Sequence, residues 1–287
     1  MRQQDFEYLQ QLLKGRSGIV LSPDKTYLVE SRLMPVVRAR GLAGLDDLIQ
    51  AVRVRGETRL IDEVVDAMTT NESYFFRDIQ PFEAFRRAVL PGLVKARRDI
   101  GRNRVRIWSA GCSSGQEPYT VAMILKEEAA LVAGFQVEIL ATDLSSQVIE
   151  RARSGLYSQF EVQRGLPIHY LVKYFAQRGE HWQIDRSIRD TVVIRQFNLL
   201  DDYRMLGTFD VVFCRNVLLY FDQPTKTDVL DRMAGTLAPD GVLYLGGAES
   251  VLGLTEAFRP LPGMRGVYAL SEAMQAKSAL LRAGLAG

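Results

Sequence analysis

The feature that most constrains the fold is a change of pattern near residue 100. From there on, short apolar segments typical of buried strands alternate with segments of helical periodicity. The expected strands are VRIWSA at 105–110, FQVEILATD at 135–143, VVI at 192–194, FDVVFC at 209–214 and VLYLGG at 242–247. Strands that alternate with helices predict a mostly parallel sheet covered on both faces, and therefore an α/β domain.

The part of the chain before this change is predicted to be all helical. Apolar residues recur at helical spacing between Phe6 and Leu13, and Ser22 followed by Pro23 is a typical start for a helix that ends near Gly41. Further helices are expected at 45–54, 57–68 and 78–99. We therefore expect a small all-α domain over 1–75, followed by the α/β domain over 76–287.

One segment, 155–191, breaks the alternation of strands and helices. It contains a helical stretch near 166–176, a turn at Gly179 and a short strand pattern, HWQID. We predict a small β-containing insert on the α/β domain at this place.

Composition excludes several classes of protein. The net charge of +2 does not favour a nucleic-acid partner, and two cysteines and two histidines favour neither a disulfide framework nor a metal site. No apolar run approaches the roughly 20 residues of a membrane span, and the N-terminus does not resemble a signal peptide. We expect a cytoplasmic protein that is not inserted in a membrane.

The most specific local pattern is SAGCSSGQEPYT at 109–120, where a strand ends, Gly111 and Gly115 make a turn and a helix begins. Such a turn lets a ligand approach the backbone and the free N–H groups of the helix. It differs from the GxGxxG fingerprint of NAD proteins, and a similar turn can also simply close an α/β unit. Two acids accompany it: Glu117 in the first helical turn, and Asp143, which could hold ribose hydroxyls or cap the next helix.

The same residues spell G-x-S-x-G, so a serine hydrolase with Ser113, Asp143 and His169 or His181 is a formal alternative. The strands that precede a nucleophile elbow are missing, however, and both histidines lie in the predicted insert. A nucleic-acid methyltransferase is a second alternative, but CRNVLL stands where a D/N-P-P-Y/F motif would be expected. A non-catalytic cofactor-binding sensor is the third.

Six stretches together resemble the CheR family of chemotaxis receptor protein-glutamate O-methyltransferases. They are TTNESYFFRD, WSAGCSSGQEPYT, ATDLSSQVIERARSGLY, FNLLD, FDVVFCRNVLLYFD and PDGVLYLGGAES, and they span nearly the whole chain. The resemblance implies a Rossmann-like domain that binds S-adenosylmethionine, releases S-adenosylhomocysteine and needs no metal. The residues it assigns to the cofactor are Asn71, Ser73, Arg77, Gly111, Glu117, Asp143, Asn198, Leu199, Asn216 and Val217.

The resemblance also implies a substrate, the glutamate side chains of a chemoreceptor. A glutamate has an ordinary pKa of about 4.3, so at neutral pH it is already the carboxylate nucleophile and needs no general base. We expect Arg77 and Tyr220 to orient this carboxylate, although Tyr220 could equally pack beneath the next helix.

Partner contacts are the last implication. Arg32 and Arg38 match basic positions that the family uses against the acidic helices of the receptor, although Pro35 and Val36 stand where other members carry more arginine. Some members bind a receptor C-terminal pentapeptide through a three-stranded sheet in the insert. The hairpin around RGEHWQID is short and lacks the loop glycines expected of such members, so we predict an enzyme that does not depend on the pentapeptide. For the oligomeric state, a monomer is the default expectation.

Overall fold

The computed structural model of the chain describes residues 1–276, apart from the side chain of Arg55. The C-terminal end of the predicted α/β domain, 277–287, lies outside the described residues.

The first part of the chain is helical, as predicted. It contains α1 (Gln3–Ser17), a 3-10 turn (Pro23–Lys25), α2 (Thr26–Ala39), α3 (Leu45–Arg55) and α4 (Thr58–Met68). The apolar faces of these helices form a core of their own between Phe6 and Met68. Ser22 precedes the 3-10 turn but makes no capping hydrogen bond with its side chain, and α2 ends just before Gly41, whose φ is +63°.

A helical segment follows where 78–99 was predicted. It consists of α5 (Gln80–Ala84), a π-helical stretch (Phe85–Val89) and α6 (Leu90–Asp99). Phe82 and Phe85 pack on the sheet that follows, together with Phe75 and Phe76 from the preceding loop. The aromatic residues of the junction therefore belong to the core of the α/β domain.

The rest of the chain alternates between strands and helices. The elements are β1 (Arg104–Ala110), α7 (Gln116–Glu127), β2 (Gln136–Asp143), α8 (Ser146–Ser154), β3 (Leu156–Ser158), α9 (Gln159–Gln163), α10 (Ile168–Tyr174), β4 (Phe175–Arg178), β5 (His181–Ile184), α11 (Arg186–Arg189), β6 (Val192–Gln196), β7 (Phe209–Cys214), α12 (Gln223–Thr236), β8 (Leu237–Leu245), β9 (Phe258–Pro260) and β10 (Val267–Leu270). Short 3-10 turns lie at Tyr203–Leu206 and Leu218–Tyr220.

Seven strands form one sheet in the order β6-β2-β1-β7-β8-β10-β9. The first five are parallel, whereas β10 runs antiparallel to both β8 and β9. Successive side chains of β1 point to opposite faces of the sheet. Ile107 therefore packs in the core on one face, and Trp108 packs in the core on the other. The strand order reverses between β1 and β7, and in open α/β sheets such a switch point creates a ligand crevice at the carboxyl ends of the strands. The predicted α/β domain behind an all-α domain is thus confirmed.

The insert contains more β-structure than its sequence indicated. It holds an antiparallel sheet of order β3-β5-β4, in which Tyr157 pairs with Trp182. Two details of the prediction were wrong: Phe175 begins β4 rather than continuing a helix to 176, and the third strand, β3, was not foreseen. The short strands are held by backbone pairing that a three-residue pattern does not reveal.

Candidate functional site

A cleft lies at the switch point of the sheet, and the predicted site residues meet there. Asn71, Ser73, Arg77, Gly111, Glu117, Asp143, Asn198, Leu199, Asn216, Val217 and Tyr220 all line it. They come from the junction before α5 and from the carboxyl ends of β1, β2, β6 and β7. Ser17 and Ile19, at the end of α1 and just beyond it, complete one side, so the helical domain also contributes to the cleft.

The glycine turn has the conformation that its residues suggested. Gly111 and Gly115 have φ angles of +80° and +94°, which residues with a side chain rarely adopt. A Cβ atom at Gly111 would lie 2.4 Å from Cγ2 of Val217 on the opposite wall. The turn therefore keeps the floor of the cleft open by having no side chain there.

Ser113 organises this turn and is not placed as a nucleophile. Its hydroxyl donates to the carbonyl oxygen of Asn71 over 2.9 Å, and its N–H donates to Oδ2 of Asp143 over 2.8 Å. The ring of His169 lies against Tyr170 in the insert, 4.5 Å between centroids. Because the hydroxyl of Ser113 donates to a carbonyl instead of a histidine, the serine hydrolase reading is not supported.

Asp143 is held at the end of β2 by backbone donors. Besides the N–H of Ser113, its carboxylate accepts the N–H of Ser145 over 3.0 Å. The capping side chain of α8 is that of Ser145, so the alternative in which Asp143 caps this helix is wrong. Burial raises the pKa of Asp143, against the effect of these N–H groups. A carboxylate has about four acceptor positions, so Asp143 keeps acceptor capacity for a hydroxyl group of a ligand.

A buried ion pair, which the sequence did not reveal, joins Glu117 to Arg215. Nη1 of Arg215 lies 3.1 Å from Oε2 of Glu117, and the hydroxyl of Ser109 donates to Oε1 over 2.8 Å. Burial raises the pKa of Glu117, while Arg215 opposes the shift. Arg215 also donates to the carbonyl of Arg77 over 2.7 Å and to Asp78 over 2.8 Å, so it connects β7 to the junction.

A second residue that the sequence prediction missed, Glu249, shapes the wall after β7. Its carboxylate accepts four backbone N–H groups at 2.7–3.2 Å, which belong to Asn216, Val217, Leu219 and Gly246. Asn216 has a φ of +60°, in the left-handed region that asparagine adopts more often than most residues other than glycine. Glu249 lies in the GGAES motif after β8, so its position was visible in the sequence but its contacts were not.

The two candidate orienting residues are partly exposed in the cleft. Nη1 of Arg77 donates to the carbonyl of Glu72 over 2.8 Å, and its guanidinium lies 5.5 Å from the ring centre of Tyr74. The carbonyl of Tyr220 accepts the N–H of Val20, which comes from the helical domain, over 2.9 Å. Both side chains line the cleft, and Tyr220 also packs against the core beneath α12.

The two candidate receptor residues on α2 differ in their surroundings. The guanidinium of Arg32 is half-buried and donates to the carbonyls of Met68 and Thr69 and to Oγ1 of Thr70. Arg38 is exposed, and its side chain has no hydrogen bond or ion pair with any described residue. Of the two, Arg38 is thus the one that is open to a partner.

Comparison with known families identifies the chain. The model of the CheR methyltransferase SAM binding domain matches residues 71–267, and that of the CheR methyltransferase all-alpha domain matches residues 4–69. The chain belongs to the CheR family. A CheR relative from Pseudomonas aeruginosa, chemotaxis protein methyltransferase 1, is 45% identical over 89% of this chain and 93% of its own length. Chemotaxis protein methyltransferase Cher2 of Pseudomonas putida is 41% identical over the same shares.

Among solved structures, the plantazolicin methyltransferase BpumL in complex with SAH covers 84% of this chain and 61% of that chain at 12% identity. Its TM-score of 0.34 is too low to support an argument. As a CheR protein, the chain is an S-adenosylmethionine-dependent methyltransferase.

Within residues 1–276, no helix is both long and apolar enough to cross a membrane. In the same residues, no group of three or more acidic, histidine or cysteine side chains could hold a metal ion.

The polar groups of the cleft fit S-adenosylmethionine. The cofactor carries a carboxylate, an ammonium group, two ribose hydroxyls and an adenine. The cleft offers the guanidinium of Arg77, the carboxylates of Glu117 and Asp143, and apolar walls at Leu199 and Val217. In addition, Oδ1 of Asn216 is buried and has no hydrogen-bond partner among the described residues. A buried acceptor of this kind is costly unless a ligand or water satisfies it.

Proposed function

We propose that this chain transfers the methyl group of S-adenosylmethionine to glutamate side chains of chemoreceptors and so forms glutamate methyl esters for sensory adaptation. The observation that carries the proposal is the convergence of Arg77, Glu117, Asp143 and Tyr220 on one cleft. The relatives are chemotaxis protein methyltransferases by name, which supports a role in chemotaxis. Such a role calls for a cytoplasmic location, where the helical region of a receptor is accessible.

The proposed roles of the residues follow from their charges. Glu117 and Asp143 would hold the ammonium group and the ribose, with Asn71, Ser73, Asn198, Leu199, Asn216 and Val217 around the rest of the cofactor. When bound, the cofactor supplies a methyl group on a positively charged sulfur. A glutamate oxygen forms the new C–O bond as the C–S bond breaks, and S-adenosylhomocysteine leaves with the electron pair.

The orienting residues, in this proposal, are Arg77 and Tyr220. The Arg77 guanidinium pairs with the substrate carboxylate, and the Tyr220 hydroxyl donates to its second oxygen. The rate enhancement comes from alignment of the carboxylate with the methyl group and from exclusion of water, because the carboxylate is already ionised at neutral pH. No proton has to be removed from such a carboxylate, so the transfer needs no general base.

Methyl transfer from labelled S-adenosylmethionine to receptor-containing membranes tests the proposal. Label that enters the receptor and leaves as volatile methanol after treatment with base is the expected result, since only a carboxyl ester reacts in this way. The variant Tyr220→Phe should bind S-adenosylhomocysteine as the wild type does while its kcat falls. Stable label, or label in another class of substrate, would contradict the proposal.

We further propose that the enzyme acts as a monomer, in two domains of about 1–75 and 76–287, and does not need a receptor pentapeptide. The insert has a three-stranded sheet, but β4 and β5 have four residues each and are joined by a short turn at Gly179. An edge this short offers few backbone groups to an added peptide strand. Calorimetry with the tethering peptide should show no binding, and micromolar affinity would contradict this part.

A further inference from the structure

We propose that Arg32 is a positioning residue for the cofactor segment, which we define as residues 69–73, and not a contact for the receptor. The inference rests on the proposed function, because the segment lines the S-adenosylmethionine cleft. It changes the role that the family resemblance gave to Arg32 and leaves Arg38 as the basic contact on α2.

The first observation is that the Arg32 guanidinium is hydrogen-bonded to the end of α4 and to the residues that follow it. Nη1 lies 2.7 Å from the carbonyl oxygen of Met68 and 3.1 Å from that of Thr69, and Nη2 lies 2.8 Å from Oγ1 of Thr70. The last carbonyls of a helix have no partner within the helix and carry the negative end of its dipole. Arg32 therefore caps the C-terminus of α4 at the point where the cofactor segment begins.

The second step is the path from this cap to the cofactor residues. The amide of Asn71 donates to Oγ1 of Thr69 over 2.9 Å. The carbonyl of Asn71 accepts the hydroxyl of Ser113, whose N–H in turn binds Asp143. Hydrogen bonds from residue to residue, made by different atoms of Thr69, Asn71 and Ser113, thus link the Arg32 guanidinium to the carboxylate that we assign to the ribose.

The third step is the contrast with Arg38 on the same helix. Arg38 is exposed and its side chain has no hydrogen bond or ion pair with the described residues, so an acidic partner could take it without breaking a contact. If an acidic partner took Arg32, three hydrogen bonds would be lost and the end of α4 would be left uncapped. Helix α2 therefore carries two arginines with different surroundings. Arg38 is available to a partner, whereas the guanidinium of Arg32 is bound to the end of α4 and to Thr70.

The test compares affinity for S-adenosylhomocysteine, by calorimetry without receptor, in the wild type, Arg32→Ala, Arg32→Lys and the matched control Arg38→Ala. Hydrogen bonds from a charged group are lost in Arg32→Ala, so we expect its Kd to rise about tenfold. Arg32→Lys keeps the charge but not the planar fork, so its Kd should rise less. Arg38→Ala should bind as the wild type does and lose only methylation of the receptor.

Hydrogen exchange of the free protein provides a second readout that does not depend on the cofactor. The amides of the last turn of α4, 65–68, and that of Thr69, whose N–H donates to the carbonyl of Asp66, should exchange faster in the Arg32 variants. In Arg38→Ala their exchange rates should be those of the wild type. If Arg32→Ala does not fold, Arg32→Lys decides by the same two measurements. Arg32 variants with wild-type affinity and exchange, but with methylation reduced as in Arg38→Ala, would overturn the inference. If the wild type itself binds no S-adenosylhomocysteine, the proposed function fails, and exchange alone decides the role of Arg32.

Discussion

At the scale of single residues, Glu249 accepts four backbone N–H groups that set the wall of the cleft after β7. In Glu249→Gln, the amide nitrogen must face some of these donors, because only one end of an amide accepts. We expect the free energy of unfolding to fall by about 1–3 kcal/mol and the affinity for S-adenosylhomocysteine to fall with it. Urea unfolding and calorimetry measure both, with exposed Glu256→Gln as the control. Equal affinities in the two variants would contradict this role.

Gly111 provides a second prediction at the same scale, with a matched control in Gly134. Both have a φ near +80°, so alanine at either position should cost about 1–2 kcal/mol of stability. Only at Gly111 does the added Cβ meet another side chain, Val217 at 2.4 Å, whereas at Gly134 nothing lies within 4 Å. Gly111→Ala should therefore lose affinity for S-adenosylhomocysteine and Gly134→Ala should keep it. Similar affinities would show that the turn tolerates a side chain.

At the scale of elements, long periodic segments were predictable, whereas several short strands were not. The strand at 209–214 was predicted with its observed bounds, since five of its six residues are apolar and three of these are β-branched or aromatic in a row. In contrast, β3, β9 and the partner strand β10 were missed, because three or four residues carry no periodicity and their order depends on distant pairing. The π-helical stretch at Phe85–Val89 also lies inside an ordinary helical pattern.

A surface ion pair joins two elements across the domains and gives a pH-dependent prediction. Lys14 of α1 lies 2.6 Å from Asp222, which precedes α12. The contact with Lys14, together with hydrogen bonds from Thr225, lowers the pKa of Asp222 from 3.8 to about 2. Because the pKa is lowered in the folded state, the stabilisation is present above about pH 4 and is lost as the pH falls towards 2.

The variant Lys14→Met tests this contact. At pH 7 its free energy of unfolding should be lower than that of the wild type by less than about 1 kcal/mol, since the pair is exposed. The difference should shrink as urea unfolding is repeated at lower pH. A difference that stays constant down to pH 3 would assign the effect to packing of the Lys14 side chain and not to its charge.

At the scale of the whole molecule, the cleft is completed by both domains. The amide of Asn198 donates to the carbonyl of Arg16 over 2.7 Å, and the N–H of Val20 donates to the carbonyl of Tyr220. The sequence motifs placed the cofactor residues at one sheet edge through the family resemblance. They did not indicate Ser17 or Ile19, because these residues reach the cleft only through the packing of one domain on the other. They did not indicate the role of Arg215 either, because its contacts with Glu117 and Asp78 join segments that are distant in the sequence.

The central claim is that this cleft is the S-adenosylmethionine site, and calorimetric titration with S-adenosylhomocysteine tests it most directly. The wild type should bind one equivalent, and Asp143→Asn should bind at least about tenfold more weakly, because a carboxylate acceptor for the ribose is lost. The control Asp99→Asn, at the exposed end of α6, should bind as the wild type does. Equal affinity in the wild type and Asp143→Asn, or no binding to the wild type, would contradict the account.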